Sequence, residues 1–284
     1  MDRAAFAIGQ AALGARPGGA AIEIGPAGLS LRCLEGAVSV AITGGAFWVE
    51  IGGGSQHNWT TTTLRKGTAI SVRPGRWGTW CYLAIAGEIR SPLWLGSRAT
   101  HPAEPFTGRP LAPGDEIIIN DAEVVSDGDR AVPVPIFCRP RHEVRLVVGP
   151  QERYFTPDSL KNLLSETYRL SNDFDRMGVR LDGPKISITS ALDMPSEGIL
   201  RGAVQVPGSG APIVLLADHQ TTGGYPKIAT VISADLDRFA QLRPGQSVKF
   251  RAVSAEQAVA SARTHRMQLQ NYIAAMLRSR ELRG

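Results

Sequence analysis

Residues 213–232 have the sequence IVLLADHQTTGGYPKIATVI, and this stretch decides how the second half of the chain folds. Two apolar, β-prone runs, 213–217 and 228–232, flank ten polar or small residues at 218–227. The flanks predict two adjacent strands, yet a hairpin needs only about two to five turn residues. We interpret the insertion as a binding loop held between rigid strands. The alternative is a long turn whose polar groups satisfy one another.

The rest of the sequence also predicts short strands, each ended by glycine or proline. They recur at the spacing typical of all-β sandwiches and barrels. In the first half they are 22–24, 37–42, 46–51, 68–72, 80–85 and 116–119; in the second half they include 142–148, 168–170, 185–188, 203–206 and 247–253. Residues 126–135 are polar and then proline-spaced, which is typical of a linker. The sequence therefore predicts a mainly β protein with two domains, 1–135 and 136–284.

Three helices are predicted within the second domain. Thr156 at the N-cap and Pro157 at the first helical position begin a short helix, and residues 235–242 form another. Ser254 and Gln257 form a capping box that begins an amphipathic C-terminal helix. This last helix packs on its own domain or, alternatively, on a partner.

Composition excludes several classes of protein. The net charge is only +5, and no Lys/Arg block longer than two residues occurs before the C-terminal tail, so nucleic-acid binding is not expected. No stretch approaches the length of a transmembrane span, and the N-terminus lacks a secretion signal. Cys33, Cys81 and Cys138 are widely separated and odd in number, which favours reduced thiols and a cytoplasmic location.

Standard catalytic motifs are absent. The sequence contains no GxxxxGK[ST], no GxGxxG before a helix, no HExxH and no GxSxG. Its five histidines show no metal-ligand spacing, so no metal site is predicted.

Two other polar segments of the second half contain candidate ligand-binding residues. Arg176 and Arg180 share a face if the chain there is extended, and guanidinium groups bind carboxylates or phosphates bidentately. Alternatively, the two arginines pair with the neighbouring aspartates and fix a loop. Gln205 points away from its valine neighbours, toward solvent or a pocket, and Glu197 is either a solvated turn residue or part of the same site.

Within the opening loop, Gly223 and Gly224 allow the backbone to approach a ligand closely. Thr221 and Thr222 offer hydroxyl groups, and Tyr225 a ring with a polar tip. Lys227 places an ammonium group where the next strand begins.

These residues resemble the signature of the allophanate hydrolase subunit 2 / Kip antagonist family, whose bacterial members are described as the C-type subunit of 5-oxoprolinase. The resemblance rests on segments at 197–198, 202–207, 212–218 and 220–227, and on 176–183 with 149–151 and Phe155. It is strong from about residue 145 to 250 and weaker in the first half. His219 and Phe174 depart from the family pattern. These differences bear on which ligand the site binds and not on the fold.

The resemblance implies two cyclophilin-like β-barrel domains and a separate partner, a B-type subunit related to the Kip inhibitor. It implies one of two chemistries. In ATP-dependent 5-oxoprolinase, which also contains an A-type subunit, the lactam carbonyl is activated by phosphorylation and water then yields glutamate. In the carboxyltransferase domain of urea carboxylase, biotin on a partner protein passes its carboxyl group to an amide nitrogen. A third possibility is a non-catalytic antagonist of a Kip-type kinase inhibitor.

Biotin and 5-oxoproline both contain a five-membered cyclic amide, so we expect the site to bind such a ring. Lys227 and Tyr225 would polarise its oxygen, and Asp218 would orient Lys227 or handle a proton. Gln205 and Gln220 would bind the amide edge. Thr221, Thr222, Gly223, Gly224 and Glu197 would line the site, with Arg176 or Arg180 holding a carboxylate or phosphate. No methionine precedes a lysine, so the chain has no Met-Lys-Met biotinylation site, which favours 5-oxoprolinase.

Overall fold

The structure is a computed structural model that describes residues 1–14, 19–101, 105–125, 128–189 and 195–281. It divides into two compact units, which we call the N-terminal unit and the barrel unit. The N-terminal unit comprises Arg3–Pro135 with the residues from Asn271 onward, and the barrel unit comprises Ile136–Gln270 with Met1–Asp2. The main division therefore falls between Pro135 and Ile136, and the last helix contributes to both units.

The N-terminal unit consists of antiparallel strands in two main sheets and a short pair. A five-stranded sheet has the order β1-β8-β3-β6-β11, a four-stranded sheet has the order β2-β7-β4-β5, and β9 pairs with β10. The strands are β1 (Ala21–Ile24), β2 (Leu29–Arg32), β3 (Ala37–Thr43), β4 (Ala46–Ile51), β5 (Gly54–His57), β6 (Thr60–Arg65), β7 (Ala69–Trp77), β8 (Cys81–Ile85), β9 (Glu88–Ile89), β10 (Ile119–Asn120) and β11 (Arg130–Ala131).

One apolar core is shared by the two main sheets. Side chains of a strand alternate between its faces, so each sheet contributes every second residue. Ile42 and Leu83 come from the five-stranded sheet, and Val49 and Ile70 from the four-stranded one. The apolar runs of the sequence therefore form strands because alternate residues are buried between the sheets.

The barrel unit contains a closed seven-stranded barrel of order β12-β19-β16-β17-β14-β13-β20. Its neighbours are antiparallel except for the parallel pair β12–β20. A separate two-stranded element, which we call the ribbon, pairs β15 with β18. The strands are β12 (Glu143–Val148), β13 (Thr167–Phe174), β14 (Gly178–Asp182), β15 (Glu197–Gly198), β16 (Ala203–Gln205), β17 (Ile213–Leu215), β18 (Thr222–Gly223), β19 (Lys227–Val231) and β20 (Ser247–Ala252).

Four α-helices complete the described chain. They are α1 (Arg3–Ala12), α2 (Pro157–Ser165), α3 (Ser233–Ala240) and α4 (Ala255–Glu281), and 3-10 turns occur at Pro105–Thr107, Ile136–Cys138 and Glu152–Tyr154. Before α2, the Thr156 hydroxyl accepts a hydrogen bond from the Ser159 amide at 3.1 Å, as the N-cap prediction requires. Before α4, Ser254 and Gln257 cap each other reciprocally at 3.0 and 3.2 Å. The prediction of a mainly β fold with short helices and a C-terminal helix is confirmed.

The helix α1 was not predicted from the sequence. Its buried residues include Ala5 and Ile8, and it lies against β3 and β8. The Thr43 hydroxyl donates to the Ala5 carbonyl at 2.8 Å, and a Cβ at Gly9 would lie 2.8 Å from the Thr43 oxygen. The helix therefore depends on small residues that allow close contact with a sheet, and local sequence does not reveal that contact.

Three predicted segments in the described chain differ from the structure. The strand expected at 116–119 is reduced to β10, and the one at 185–188 to an isolated bridge between Phe155 and Ile188. In the expected linker, residues 126–127 lie outside the described part, while β11 pairs with β6 and belongs to a sheet. Among the described residues, no helix is long and apolar enough to cross a membrane.

Candidate functional site

The candidate site lies on the outer face of the barrel, where a row of paired residues crosses three strands. Val179, Val214 and Val204 pair across β14, β17 and β16 and are fully buried inside the barrel. The next row consists of Arg180, Ile213 and Gln205. Because successive side chains of a strand point to opposite faces, this second row faces outward.

A groove with a cavity volume of about 300 Å³ covers this outward row. The opening loop of the sequence forms one side of it through Gln220, Thr222, Gly223, Gly224 and Tyr225, and the bend between β13 and β14 forms the other. The remaining lining residues are Asp173, Asp175, Met177, Gly178, Arg180, Gln205, Ile213 and Leu215. The ten-residue insertion is therefore part of a cavity wall.

Gly223 sets the fit between the ribbon and the floor of the groove. It pairs with Glu197, and Gly198 pairs with Thr222. A Cβ at Gly223 would lie 2.6 Å from the Ile199 Cδ1 atom and 3.2 Å from the Gln205 Nε2 atom. Only glycine allows the ribbon to approach the barrel this closely without displacing its neighbours.

Gln205 presents an unsatisfied donor at the floor of the groove. The residue is 4% exposed, and its Nε2 atom has no hydrogen-bond partner among the described residues. A buried amide without a partner costs free energy, so an acceptor oxygen from a ligand would stabilise it once the side chain turns to expose this atom, which has less than 1 Å² of accessible surface.

Lys227 lies beneath the ribbon and does not line the groove. It pairs with Gln205 across β16 and β19 and is 4% exposed. Its Nζ atom is 3.6 Å from the Glu197 Oε2 atom and has no hydrogen-bond partner in the described part of the chain. The ammonium group is thus a buried charge neutralised by one half-exposed carboxylate.

Gln151 connects this ion pair to the main chain. Its Nε2 donates to the Glu197 Oε1 atom at 2.7 Å, and its Oε1 accepts from the Lys227 amide at 2.9 Å. The sequence prediction did not include Gln151 among the site residues, although it ends the segment 149–151 that carried part of the resemblance.

Asp218 and Arg176 bind each other, which differs from both predicted roles. Arg176 Nε and Nη2 donate to the two Asp218 oxygens at 2.6 and 2.9 Å, and the Asp218 amide donates to the Arg176 carbonyl at 2.8 Å. Asp218 was expected to orient Lys227 or handle a proton, and Arg176 or Arg180 to hold a carboxylate or phosphate. Instead, the pair joins the start of the loop to the β13–β14 bend, because the two segments meet only in the folded barrel.

Arg180 is the cationic side chain among the described residues that line the groove. Its Nε atom is 3.4 Å from the Asp173 Oδ2 atom, and Asp173 is largely exposed. Asp175 is committed to the bend, where one carboxylate oxygen accepts from the Met177 and Gly178 amides at 2.8 and 3.1 Å. The guanidinium group of Arg180 thus lies beside a solvent-facing carboxylate and lines the cavity.

The structure brings together seven of the predicted residues around the groove. They are Arg180, Gln205, Gln220, Thr222, Gly223, Gly224 and Tyr225. Five others do not line it: Arg176, Glu197, Asp218, Thr221 and Lys227. His219 is half-buried, and its Nδ1 atom is 2.7 Å from the Gln220 carbonyl oxygen. Phe174, the other departure from the family pattern, pairs with Val179 at the end of β13.

Sequence reasoning missed the two aspartates and the apolar residues of the groove. Asp173 and Asp175 lie in a polar segment that was recognised, but they were interpreted only as partners for arginine. Ile213 and Leu215 were assigned to a strand, but the side of the sheet on which their side chains lie was not predicted. The signal was present in the alternation of β17, where Val214 is the inward residue.

Comparisons with known proteins agree on one family. The family described as Carboxyltransferase domain, subdomain A and B matches residues 1–252. The C-type subunit of 5-oxoprolinase from Haemophilus influenzae is 34% identical over 209 residues, which cover 72% of this chain and 66% of that protein. A putative urea carboxylase of Emericella nidulans is 27% identical over 273 residues, covering 89% of this chain and 22% of that protein.

The fold is similar to a solved structure as well. The urea amidolyase of K. lactis superimposes with a TM-score of 0.84 at 22% identity, covering 96% of this chain and 18% of that one. The chain spans just under two thirds of the Haemophilus influenzae 5-oxoprolinase protein that it matches.

Proposed function

Because the chain belongs to the family of carboxyltransferase domains with subdomains A and B, we propose that it is the C-type subunit of an ATP-dependent 5-oxoprolinase. In this function the complex opens the lactam of 5-oxo-L-proline to L-glutamate. The observation that carries the proposal is the 34% identity over 209 residues to the C-type subunit of a 5-oxoprolinase. The partners would be a B-type subunit related to the Kip inhibitor and an A-type subunit.

The chemistry of the groove supports a cyclic amide as its ligand. A volume of about 300 Å³ is at the low end for small-molecule sites, which suits a single five-membered ring. Ile213 and Leu215 offer apolar contacts for the ring methylenes. The buried Gln205 amide would donate to the lactam oxygen, and the Arg180 guanidinium would bind the carboxylate.

The remaining groove residues would complete the binding of the ring. The Thr222 hydroxyl and the half-exposed Tyr225 phenol are available at the rim, and the Asp173 carboxylate could accept the ring N–H. Lys227 does not line the groove and its charge is neutralised by Glu197, so in this proposal it acts by holding the ribbon through that ion pair. Asp218 acts by holding the loop.

The charge of the groove lining argues against ATP as its ligand. Its triphosphate would meet two carboxylates, Asp173 and Asp175, at the rim, with Arg180 as the single lining cation among the described residues. We therefore propose that ATP binds elsewhere in the complex and assign no step of its chemistry to this chain.

A second candidate is the carboxyltransferase component of a biotin-dependent urea or amide carboxylase. The match to a putative urea carboxylase over 273 residues favours it. The ureido ring of biotin, carried by a partner protein, is also a five-membered cyclic amide and would use the same Gln205 donor.

The test is co-expression of this chain with its B-type and A-type partners and an assay of glutamate release from 5-oxoproline. The proposal expects release that needs ATP and is lost when this chain is omitted. The Arg180→Ala variant should raise KM at least tenfold, because it removes the proposed carboxylate contact. Absence of ATP-dependent release, together with transfer of a carboxyl group from carboxybiotin to urea, would replace the first function with the second.

A further inference from the structure

Gln151 is a buried residue whose side-chain amide both donates and accepts a hydrogen bond. It is 3% exposed and lies just before the 3-10 turn Glu152–Tyr154. Its main-chain N–H donates to the Lys227 carbonyl at 3.2 Å, and its Oε1 accepts from the Lys227 amide at 2.9 Å. Its Nε2 donates to the Glu197 carboxylate at 2.7 Å. Gln151 therefore connects the start of β19 to the ribbon.

This position requires one acceptor and one donor on the same planar group. The acceptor faces a main-chain N–H, and the donor faces a carboxylate. A primary amide supplies both, whereas an ionised carboxylate supplies only acceptors. Replacing the amide with a carboxyl group would set two carboxylates at hydrogen-bond distance, and one of them would have to bind a proton.

Charged groups among the described residues also bear on this contact. The Lys227 ammonium faces Glu197 from β19 at 3.6 Å. Glu152 and Arg153, which follow Gln151 in the turn, are exposed. Lys227 therefore stabilises one carboxylate here but cannot neutralise two.

The position of Glu197 determines the position of a groove wall. Glu197 pairs with Gly223, where an added Cβ would lie 2.6 Å from Ile199 and 3.2 Å from Gln205. A shift of Glu197 is transmitted through that pairing to Gly223 and to the floor of the groove.

We propose that Gln151 is a positioning residue, which holds Glu197 so that the ribbon closes on Gln205. It does not touch the groove ligand. The measurement of turnover below rests on the proposed 5-oxoprolinase function, whereas the measurement of amide exchange does not.

The test compares Gln151→Glu with a matched control, Gln241→Glu. Gln241 is also a fully buried glutamine of the barrel unit, its Nε2 donates to the Asp2 carboxylate at 2.8 Å, and neither residue lines the groove. The amide of Ile199, which donates to the Thr221 carbonyl at 3.0 Å, reports closure of the ribbon. At pH 8 we expect its hydrogen exchange to accelerate at least tenfold in Gln151→Glu and to stay within twofold of wild type in Gln241→Glu.

In the co-expressed complex, Gln151→Glu should lower kcat/KM for 5-oxoproline at least tenfold at pH 8, mainly through KM. The loss should shrink as the pH falls toward 5.5, because the introduced carboxyl group then carries a proton and can donate to Glu197. The control should keep a wild-type pH profile. Equal exchange and equal pH profiles for the two variants would overturn the proposal. If the wild-type complex has no 5-oxoprolinase activity, the proposed function fails, and the exchange of the Ile199 amide still decides the role of Gln151.

Discussion

The pair formed by Arg176 and Asp218 gives the sharpest test of how the binding loop is held. Arg176 donates to both carboxylate oxygens at 2.6 and 2.9 Å, and the side chains are 29% and 11% exposed. Exposed ion pairs contribute about 0.2–1 kcal/mol, and breaking a buried pair costs about 3–5 kcal/mol. This pair lies between those limits, so we expect each alanine substitution to lower the free energy of unfolding of the barrel unit by about 2 kcal/mol.

A double-mutant cycle measures the interaction directly. Arg176→Ala, Asp218→Ala and the double variant should show a coupling energy of about 1.5 kcal/mol. Once one residue of the pair is alanine, replacing the other breaks no further contact between them. Urea unfolding followed by far-UV circular dichroism reports both units. All five tryptophans, at 48, 59, 77, 80 and 94, belong to the N-terminal unit, so their fluorescence follows the unfolding of that unit separately.

A coupling energy of the expected size would mean that Arg176 and Asp218 hold the binding loop in place and do not bind the ligand. A coupling energy below about 0.5 kcal/mol would refute this reasoning, since charge-assisted pairs of this geometry contribute more. The pair would then not be what holds the binding loop.

Three further predictions concern single sites. Burial raises the pKa of Tyr168 to about 12, so this phenol ionises at lower pH in the unfolded chain than in the folded one, and the free energy of unfolding should fall by about 3 kcal/mol between about pH 10 and 12. Tyr168→Phe should remove this loss when urea unfolding is measured at alkaline pH. A variant with the same dependence of stability on pH as wild type would contradict the prediction. Gly223→Ala should weaken 5-oxoproline binding at least tenfold by calorimetry, whereas Gly198→Ala, whose added Cβ meets nothing within 4 Å, should bind within twofold of wild type. Cys33 should react rapidly with a thiol reagent, while burial raises the pKa of the other two thiols and protects them until unfolding; three rapid equivalents would refute this.

Local signals in the sequence were sufficient for much of the fold. The N-cap at Thr156 and the capping box at Ser254 are encoded within one helical turn, so they could be recognised without tertiary information. The helix α1 could not, because its stability comes from contact with β3 and β8. The 185–188 run failed as a strand for a related reason, since the Ile186 amide donates to the Gly210 carbonyl at 2.9 Å outside any ladder.

The candidate site shows the same division between local and tertiary information. Alternation along β16 indicated that Gln205 faces away from the core, and the glycine pair indicated a close approach of the backbone. Which carboxylate pairs with which cation depended on the closed barrel. Lys227 and Glu197 are thirty residues apart in sequence, and Asp218 and Arg176 are forty-two apart. No periodicity or spacing encodes such pairings.

The two rows of side chains that cross β14, β17 and β16 give the two surfaces of the barrel different roles. The valine row is buried inside the barrel and stabilises it, and the row of Arg180, Ile213 and Gln205 lines the groove. Substitutions at those three positions would change the chemistry of the groove floor and leave the buried valine row unaltered.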